Sequence, residues 1–134
     1  MTSKGVWLPD KSLFEKNGYM ELGTRGRFEL MVKKTDPGNR SPTLLDREKQ
    51  QAGYTGWHLL YADQCPWYIK SVEDLSGVSR QHKINLNIKR IESPEEAQNG
   101  PSGFGTFALL KDGKLLSDHY LSASRFRNII KEEA

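Results

Sequence analysis

Cys65 is the only cysteine in the 134-residue chain, and it stands at a change of pattern. The apolar run Trp57-His58-Leu59-Leu60-Tyr61 gives way through Ala62-Asp63-Gln64 to Cys65-Pro66-Trp67-Tyr68-Ile69-Lys70, where Cys-Pro opens a helical pattern. A thiol at a helix N-terminus faces unpaired backbone N–H groups and the positive end of the macrodipole, which favour thiolate over thiol. The chemistry open to such a group is formation and release of a mixed disulfide. The plain alternative is a small apolar side chain packed beneath the helix. Gln64 and Tyr68 stand where they would orient a ligand, or serve as turn and helix-surface residues. Trp67 and Tyr68, where exposed, would form a contact surface beside the thiol.

Other chemistry finds less support. His58, His82 and His119 have no metal-ligand spacing to one another or to Cys65, which leaves them as strand, helix-end and loop residues and predicts no metal. Ser, His and Asp are present without a nucleophile-elbow pattern. Asn39-Arg40-Ser41 fits a glycosylation sequon, which carries no meaning without an export signal.

The elements that must position these residues follow from length and pattern. The chain suits one ordinary domain, or a small domain with an appendage. Hydrophobic residues at 36% and charged residues at 28% support a modest packed core. Twenty basic and 17 acidic residues give a net charge of +3 with the signs interleaved. There is no clustered basic face or aromatic stacking platform, so nucleic acid is not an expected partner. No apolar run approaches the ~20 residues of a membrane span, and Met1 to Trp7 lacks the apolar core of a secretory signal. One cysteine excludes an internal disulfide framework, so a reducing cytoplasm is the expected location.

Three pieces are predicted. Over residues 1–36, Pro9 near a helix start, the apolar pair Leu13-Phe14 and the stop Asn17-Gly18 mark a short helix. Tyr19 to Leu22 reads as a strand and Gly23 to Gly26 as a turn. Arg27 to Lys33 alternates, with Phe28, Leu30 and Val32 expected on the buried face and Met31 on the other. Residues 37–56 are polar and read as a linker, with one helical turn around Asp46 to Gln51. Residues 57–134 carry the regular signals. Trp57 to Tyr61 is a strand, and Ile69, Val72, Leu75 and Val78 make a helix face that Gly77 weakens by about 1 kcal/mol. Ile84, Leu86 and Ile88 alternate as a second strand. Ser93-Pro94-Glu95-Glu96 opens a short helix, with an N-cap, proline at the first position and acids in the first turn. Phe104 to Leu110 reads as a strand, Lys111-Asp112-Gly113-Lys114 as a hairpin turn, and Leu115-Leu116 as the return strand. Ser122 caps a last helix, with Leu121 and Phe126 as its hydrophobic staple and Ile129 and Ile130 facing inward. Trp57, Trp67, Tyr68, Phe104 and Phe107 are candidates for a cluster near the Cys65 end of the sheet, against ordinary core and rim packing.

This order resembles the thioredoxin-like order, and particular residues resemble its motifs. Cys65-Pro66-Trp67-Tyr68 looks like a glutaredoxin-type Cys-Pro-aromatic motif, and Gly105-Thr106-Phe107 through Asp112-Gly113 looks like the family's Pro-Thr-strand-turn segment. Tyr61 to Pro66, Glu95 to Asn99 and Phe104 to Phe107 together resemble the YoaP-type C-terminal domain found behind GNAT acetyltransferase domains, over about residues 54–134. Leu13 to Tyr19, followed by the strand through Leu30-Met31-Val32, resembles the last helix and strands of a GNAT fold. The implied fold is α/β: a thioredoxin-like four-stranded mixed sheet flanked by helices, with an N-terminal helix plus β-hairpin appendage resembling the end of a GNAT fold.

The resemblance implies a site of Cys65 as reactive thiol, with Gln64, Trp67, Tyr68, Gly105 and Thr106 binding ligand. It also implies acetyl-CoA as cofactor of the full enzyme, and a GNAT catalytic core or a small molecule as partner. Departures limit this. The phosphate-binding Gln/Arg-x-x-Gly-x-Gly/Ala loop is missing, and Arg25-Gly26-Arg27 falls in a hairpin turn instead. Phe14 stands where a general-acid tyrosine is often found. Tyr68 occupies the position of the second thiol and Gly105 that of the family's cis-proline. The expectation is an accessory or ligand-binding module that does not transfer acetyl groups alone. The alternative is a monothiol redox protein using Cys65 with glutathione.

Overall fold

The computed structural model describes residues 2–3, 9–25, 28–103 and 105–134. The chain divides into two compact units, Met1–Leu45 and Asp46–Ala134.

In the first unit Asp10 accepts a hydrogen bond from Ser12 N at 2.9 Å and so starts helix α1 (Lys11–Lys16). Strands β1 (Thr2–Ser3), β2 (Met20–Arg25) and β3 (Phe28–Val32) form an antiparallel sheet in the order β1-β3-β2. Two expectations are corrected here. The strand expected to end at Leu22 runs on to Arg25, with a register shift between Glu21 and Gly23. A Cβ on Gly23 would meet Leu44 Cδ1 at 2.7 Å, so this glycine makes room for a neighbouring side chain rather than a turn. The buried face of β3 is also the reverse of that expected, since Met31 is buried while Leu30 and Val32 are half-buried. Lys11 on α1 explains the reversal. It pairs with Glu21 and, at 3.9 Å, with Glu29, on the same strand face as Met31, so α1 covers that side. Gly26 and Arg27, in the expected turn, lie outside the described residues.

The second unit begins inside the stretch expected to be linker. Asp46 caps helix α2 (Arg47–Gln51), and Arg47 Nη1 donates to the carbonyl oxygens of Gln98 and Gly100 at 2.7 and 2.5 Å. Gln51 Nε2 donates to Pro101 O at 3.0 Å. These bonds tie residues from Asp46 onward into the unit, so of residues 37–56 only the part up to Leu45 groups with the first.

Strands β4 (Trp57–Tyr61), β5 (Leu86–Arg90), β6 (Ala108–Lys111) and β7 (Lys114–Ser117) form a mixed sheet in the order β5-β4-β6-β7. β4 pairs parallel with β5 and antiparallel with β6, and β6 and β7 make a hairpin. The hairpin turn is as expected: Asp112 and Gly113 have φ of 48° and 78°, the two-residue turn that Asp-Gly favours. Strand β6 is shorter than expected and begins at Ala108, because Gly105 to Phe107 make no ladder; Phe104 lies outside the described residues.

One sheet face carries the larger core of Leu59, Leu75, Val78, Phe107, Leu109, Leu121 and Phe126, contributed with helices α3 (Pro66–Gln81) and α5 (Ala123–Glu132). Leu60, Ala108 and Leu110 occupy the other face with Tyr54, Ile91 and Leu115. Helix α4 (Pro94–Gln98) starts at Ser93, whose hydroxyl accepts from Glu96 N at 3.1 Å. Leu121 and Phe126 are both fully buried at the start of α5, as a staple requires. On α3 the buried positions are Ser71, Leu75, Val78 and Ser79, whereas Ile69 is 38% exposed. Strict threefold spacing drifts around a 3.6-residue helix, so the apolar stripe leaves the core at its N-terminal end. No helix of the described residues is long and apolar enough to cross a membrane.

Buried Ser71 joins α3 to the start of α5. Its hydroxyl donates to Leu121 O at 2.6 Å and accepts from Leu121 N at 3.2 Å. Ser71→Ala strands two buried backbone groups, so we expect a loss of about 1–3 kcal/mol in urea unfolding of the second unit. Ser76, half-buried and bonded only to Val72 O in its own helix, serves as control; Ser76→Ala should stay within about 0.5 kcal/mol. Equal losses would show that the brace contributes nothing particular.

Candidate functional site

Cys65 is the N-cap residue of α3, placed there because β4 ends at Tyr61 and Pro66 fixes the backbone for the first helical position. Its side chain is half-buried and makes no capping hydrogen bond. Of the donors expected to face it, Pro66 has none, and Tyr68 N donates to Cys65 O at 2.9 Å.

The expected site residues fall into two groups. Tyr68, Gly105 and Phe107 come together: the Tyr68 and Phe107 rings lie 5.1 Å apart with planes at 36°, and Tyr68 Oη is 4.0 Å from where a Cβ of Gly105 would stand. Burial pushes the Tyr68 phenol above its ordinary range, and Cys65 and Asp118 nearby add to the shift. At neutral pH Tyr68 is therefore a neutral donor beside the thiol. Thr106 and Gln64 form the second pair, with Thr106 Oγ1 donating to Gln64 Oε1 at 3.4 Å. Trp67 belongs to neither. It is 60% exposed and sets its ring edge-on to Tyr120 at 5.8 Å.

The expected aromatic cluster is thus divided. Trp57 lies at the opposite end of β4 and packs edge-to-face on Phe126 at 5.7 Å, because it is the first residue of the strand and not the last. Sequence reasoning also missed the loop after β7. The Asp118 carbonyl oxygen lies 3.8 Å from the Cβ position of Gly105, and Tyr120 backs Trp67. No local pattern marks those two residues; their place follows from the Ser71–Leu121 brace.

Beyond the C-terminal ends of β4 and β5 lies a cleft of about 690 Å³. Its walls include Ala62, Asp63 and Gln64 after β4, Arg90 to Pro94 after β5, and Thr106. Ile91 N donates to Tyr61 O at 2.7 Å and carries the parallel pairing into this wall. Among the described residues no group of three or more His, Cys, Asp or Glu side chains is arranged to hold a metal ion.

Asp10, Asp46, Ser93 and Ser122 each accept a backbone N–H at the start of α1, α2, α4 and α5, and α3 opens on proline. At each capped start one first-turn N–H that a phosphate could use is already engaged, and α4 adds Glu95 and Glu96 in its first turn.

Residues 85–128 match the YoaP-like family model. The chain is also 25% identical over 126 residues to the "Uncharacterized N-acetyltransferase YoaP" of Bacillus subtilis (strain 168), an alignment covering 92% of this chain and 50% of the relative. The chain therefore spans about half the length of the curated relative it matches. The family match runs from the start of β5 through α4, β6 and β7 into α5, and so includes the β5 side of the cleft and Thr106.

Glu96 steadies that side. It accepts from Glu92 N at 2.8 Å and pairs with Lys89 at 2.9 Å, and these contacts, the backbone bond foremost, hold its carboxyl below the ordinary glutamate range. A carboxyl depressed in the folded state stabilises the fold above its unfolded pKa, and that contribution is lost as pH falls through the folded value. The thermal midpoints of wild type and Glu96→Gln should therefore differ most near neutral pH and converge in the acid range. A difference independent of pH would show that the Glu96 charge is not involved.

Proposed function

We propose that this is an acetyltransferase-related protein. In this reading its second unit is a thioredoxin-like accessory module that binds a small ligand, and its first unit corresponds to the end of a GNAT fold. The observation that carries the reading is the sheet order β5-β4-β6-β7, with a Cys-Pro helix start after the central strand, in a chain similar to an N-acetyltransferase of twice its length. The capped starts of α1, α2, α4 and α5, each with a side chain on one first-turn N–H, support a non-catalytic role for this chain by itself. Acetyl-CoA would then be held by a GNAT catalytic core, which is the proposed partner. A cytoplasmic location fits the single cysteine.

The test compares the full-length Bacillus relative with the same protein lacking the part that matches the second unit, and follows release of coenzyme A thiol with a panel of amines. We expect no release from this chain alone. In the full-length relative we expect a lower KM for the acceptor than in the shortened one, with kcat unchanged, because the module supplies binding rather than chemistry. Acetyl transfer by this chain alone, or an unchanged KM, would overturn the reading.

A second reading is favoured by the uncapped, half-buried state of Cys65 beside the protonated Tyr68. As a monothiol redox protein, the Cys65 thiolate would attack one sulfur of oxidised glutathione. The disulfide of that molecule breaks, a mixed disulfide forms on Cys65, and one glutathione leaves as thiolate. Incubation with excess oxidised glutathione at neutral pH should then add one glutathione by intact mass, and none to Cys65→Ser. Absence of the adduct on the native chain removes this reading.

A further inference from the structure

The sheet of the second unit has two edges, β5 and β7, and they are built differently. The ladder of β7 shifts register between Leu109 and Leu110, an irregularity of the kind that deters a strand from pairing with another chain. The ladder of β5 runs without a shift from Leu86 to Arg90, and the strand contains no proline. Four of its five residues are exposed. Leu86 packs against the larger core, but Ile88, on the same sheet face, is 41% exposed.

The backbone of β5 decides which groups point outward. Ile91 N donates to Tyr61 O, so Ile91 turns its backbone groups toward β4. Along a strand that direction alternates, which gives Asn87 and Lys89 to β4, and Leu86, Ile88 and Arg90 to the open edge. Ile88 is the middle residue of the strand and presents both an N–H and a C=O there. A strand of that phase is complementary to itself. Turned end for end, it sets Ile88 of one copy against Ile88 of the other, with both hydrogen bonds exchanged. Leu86 of each copy then stands opposite Arg90 of the other, and Asn87 opposite Lys89.

Charge, the usual guard of a strand edge, does not oppose this pairing. Arg90 Nη1 donates to Asp63 Oδ2 at 3.1 Å, and its Nη2 donates to Glu92 Oε1 at 2.6 Å. Lys89 pairs with Glu96 at 2.9 Å. Each cation of the strand is thus answered within its own chain. In the two-fold register the two Arg90 positions lie about 13 Å apart along the strand, beyond the screening length at physiological salt.

We infer that β5 is a self-association edge, through which two copies of this chain pair antiparallel about Ile88 and join their four-stranded sheets into one. The area buried is that of one short strand edge, so the dimer is weak. The inference does not rest on the accessory-module reading, since the thiol turn takes no part in it.

The experiment is sedimentation velocity of the full chain over a concentration series reaching about 1 mM, the range of weak complexes. We expect the sedimentation coefficient to climb toward that of a dimer. Ile88→Pro removes an edge N–H that the β4 ladder does not use, so it should leave a folded monomer. Ile88→Lys places like charges opposite each other at the two-fold axis and should weaken association by about tenfold. An equimolar mixture of Ile88→Lys and Ile88→Glu chains should associate again, as a register with Ile88 against Ile88 requires. Backbone amide spectra confirm that each variant is folded, and the charged pair decides the matter even where Ile88→Pro fails to fold. A native chain that stays monomeric throughout, as it would with this edge covered by another part of the same chain, overturns the proposal. So does undiminished association of a folded Ile88→Pro or Ile88→Lys chain, or a charged mixture that associates no more tightly than its components.

Discussion

The second unit depends on β4 being buried on both faces. Leu59 points into the larger core and Leu60 into the smaller, at 0% and 4% exposure, while the strand is paired on both edges. Leu59 sits opposite Ile88 on β5 and Leu109 on β6, so two ladders set one register. A slip of one residue would turn His58 and Tyr61 toward the places of the leucines. Because the strand cannot slide, the point where the chain leaves it is fixed, and with it Ala62 to Cys65. Every candidate site residue in this unit is positioned relative to that exit.

Two further ties extend the constraint. The buried hydroxyl of Ser71 holds both backbone groups of Leu121, which brings the loop after β7 against the start of α3. Tyr120 thereby reaches Trp67, and Asp118 reaches Gly105. On the other side Arg47 takes the carbonyl oxygen of Gln98, which the end of a five-residue helix leaves without an intrahelical partner, and that of Gly100 just beyond the helix. A cation at that end also suits the helix dipole. The cleft is therefore bordered by a helix whose first turn is held by Ser93 and Glu96 and whose last is held by Arg47.

The sequence was most legible where a local rule decides the outcome. Trp57 to Tyr61, the Asp112-Gly113 turn, the Ser93-Pro94 helix start and the Leu121–Phe126 staple are each set by a few neighbouring residues, and all stand where the pattern puts them. It was least legible where a distant element chooses the face. Met31 is buried because α1 covers its side of β3, which alternation alone does not reveal. Arg47 and Gln51 read as linker because their partners lie some 50 residues away. Around the candidate site, the strand-to-helix turn that carries Gln64 and Cys65 was legible from the Cys-Pro pattern. The Arg90 bridge was not, because Asp63, Arg90 and Glu92 meet only once β4 and β5 pair in parallel.

Gln64 belongs to both regions of the unit: it accepts from Thr106 and also lines the cleft. The turn that presents the thiol is therefore the same turn that presents the cleft. What stands around Cys65 then bears on which use the turn serves. A dithiol exchanger needs a second sulfur to release its mixed disulfide, and the residue three positions on is Tyr68, a phenol that burial pushes further above its ordinary range. A neutral phenol donates a hydrogen bond but takes no disulfide. Beside it Gly105 presents backbone without a side chain, and Trp67 presents an exposed ring. None of these neighbours carries a sulfur, so the β4–α3 turn lacks the second thiol that dithiol exchange requires.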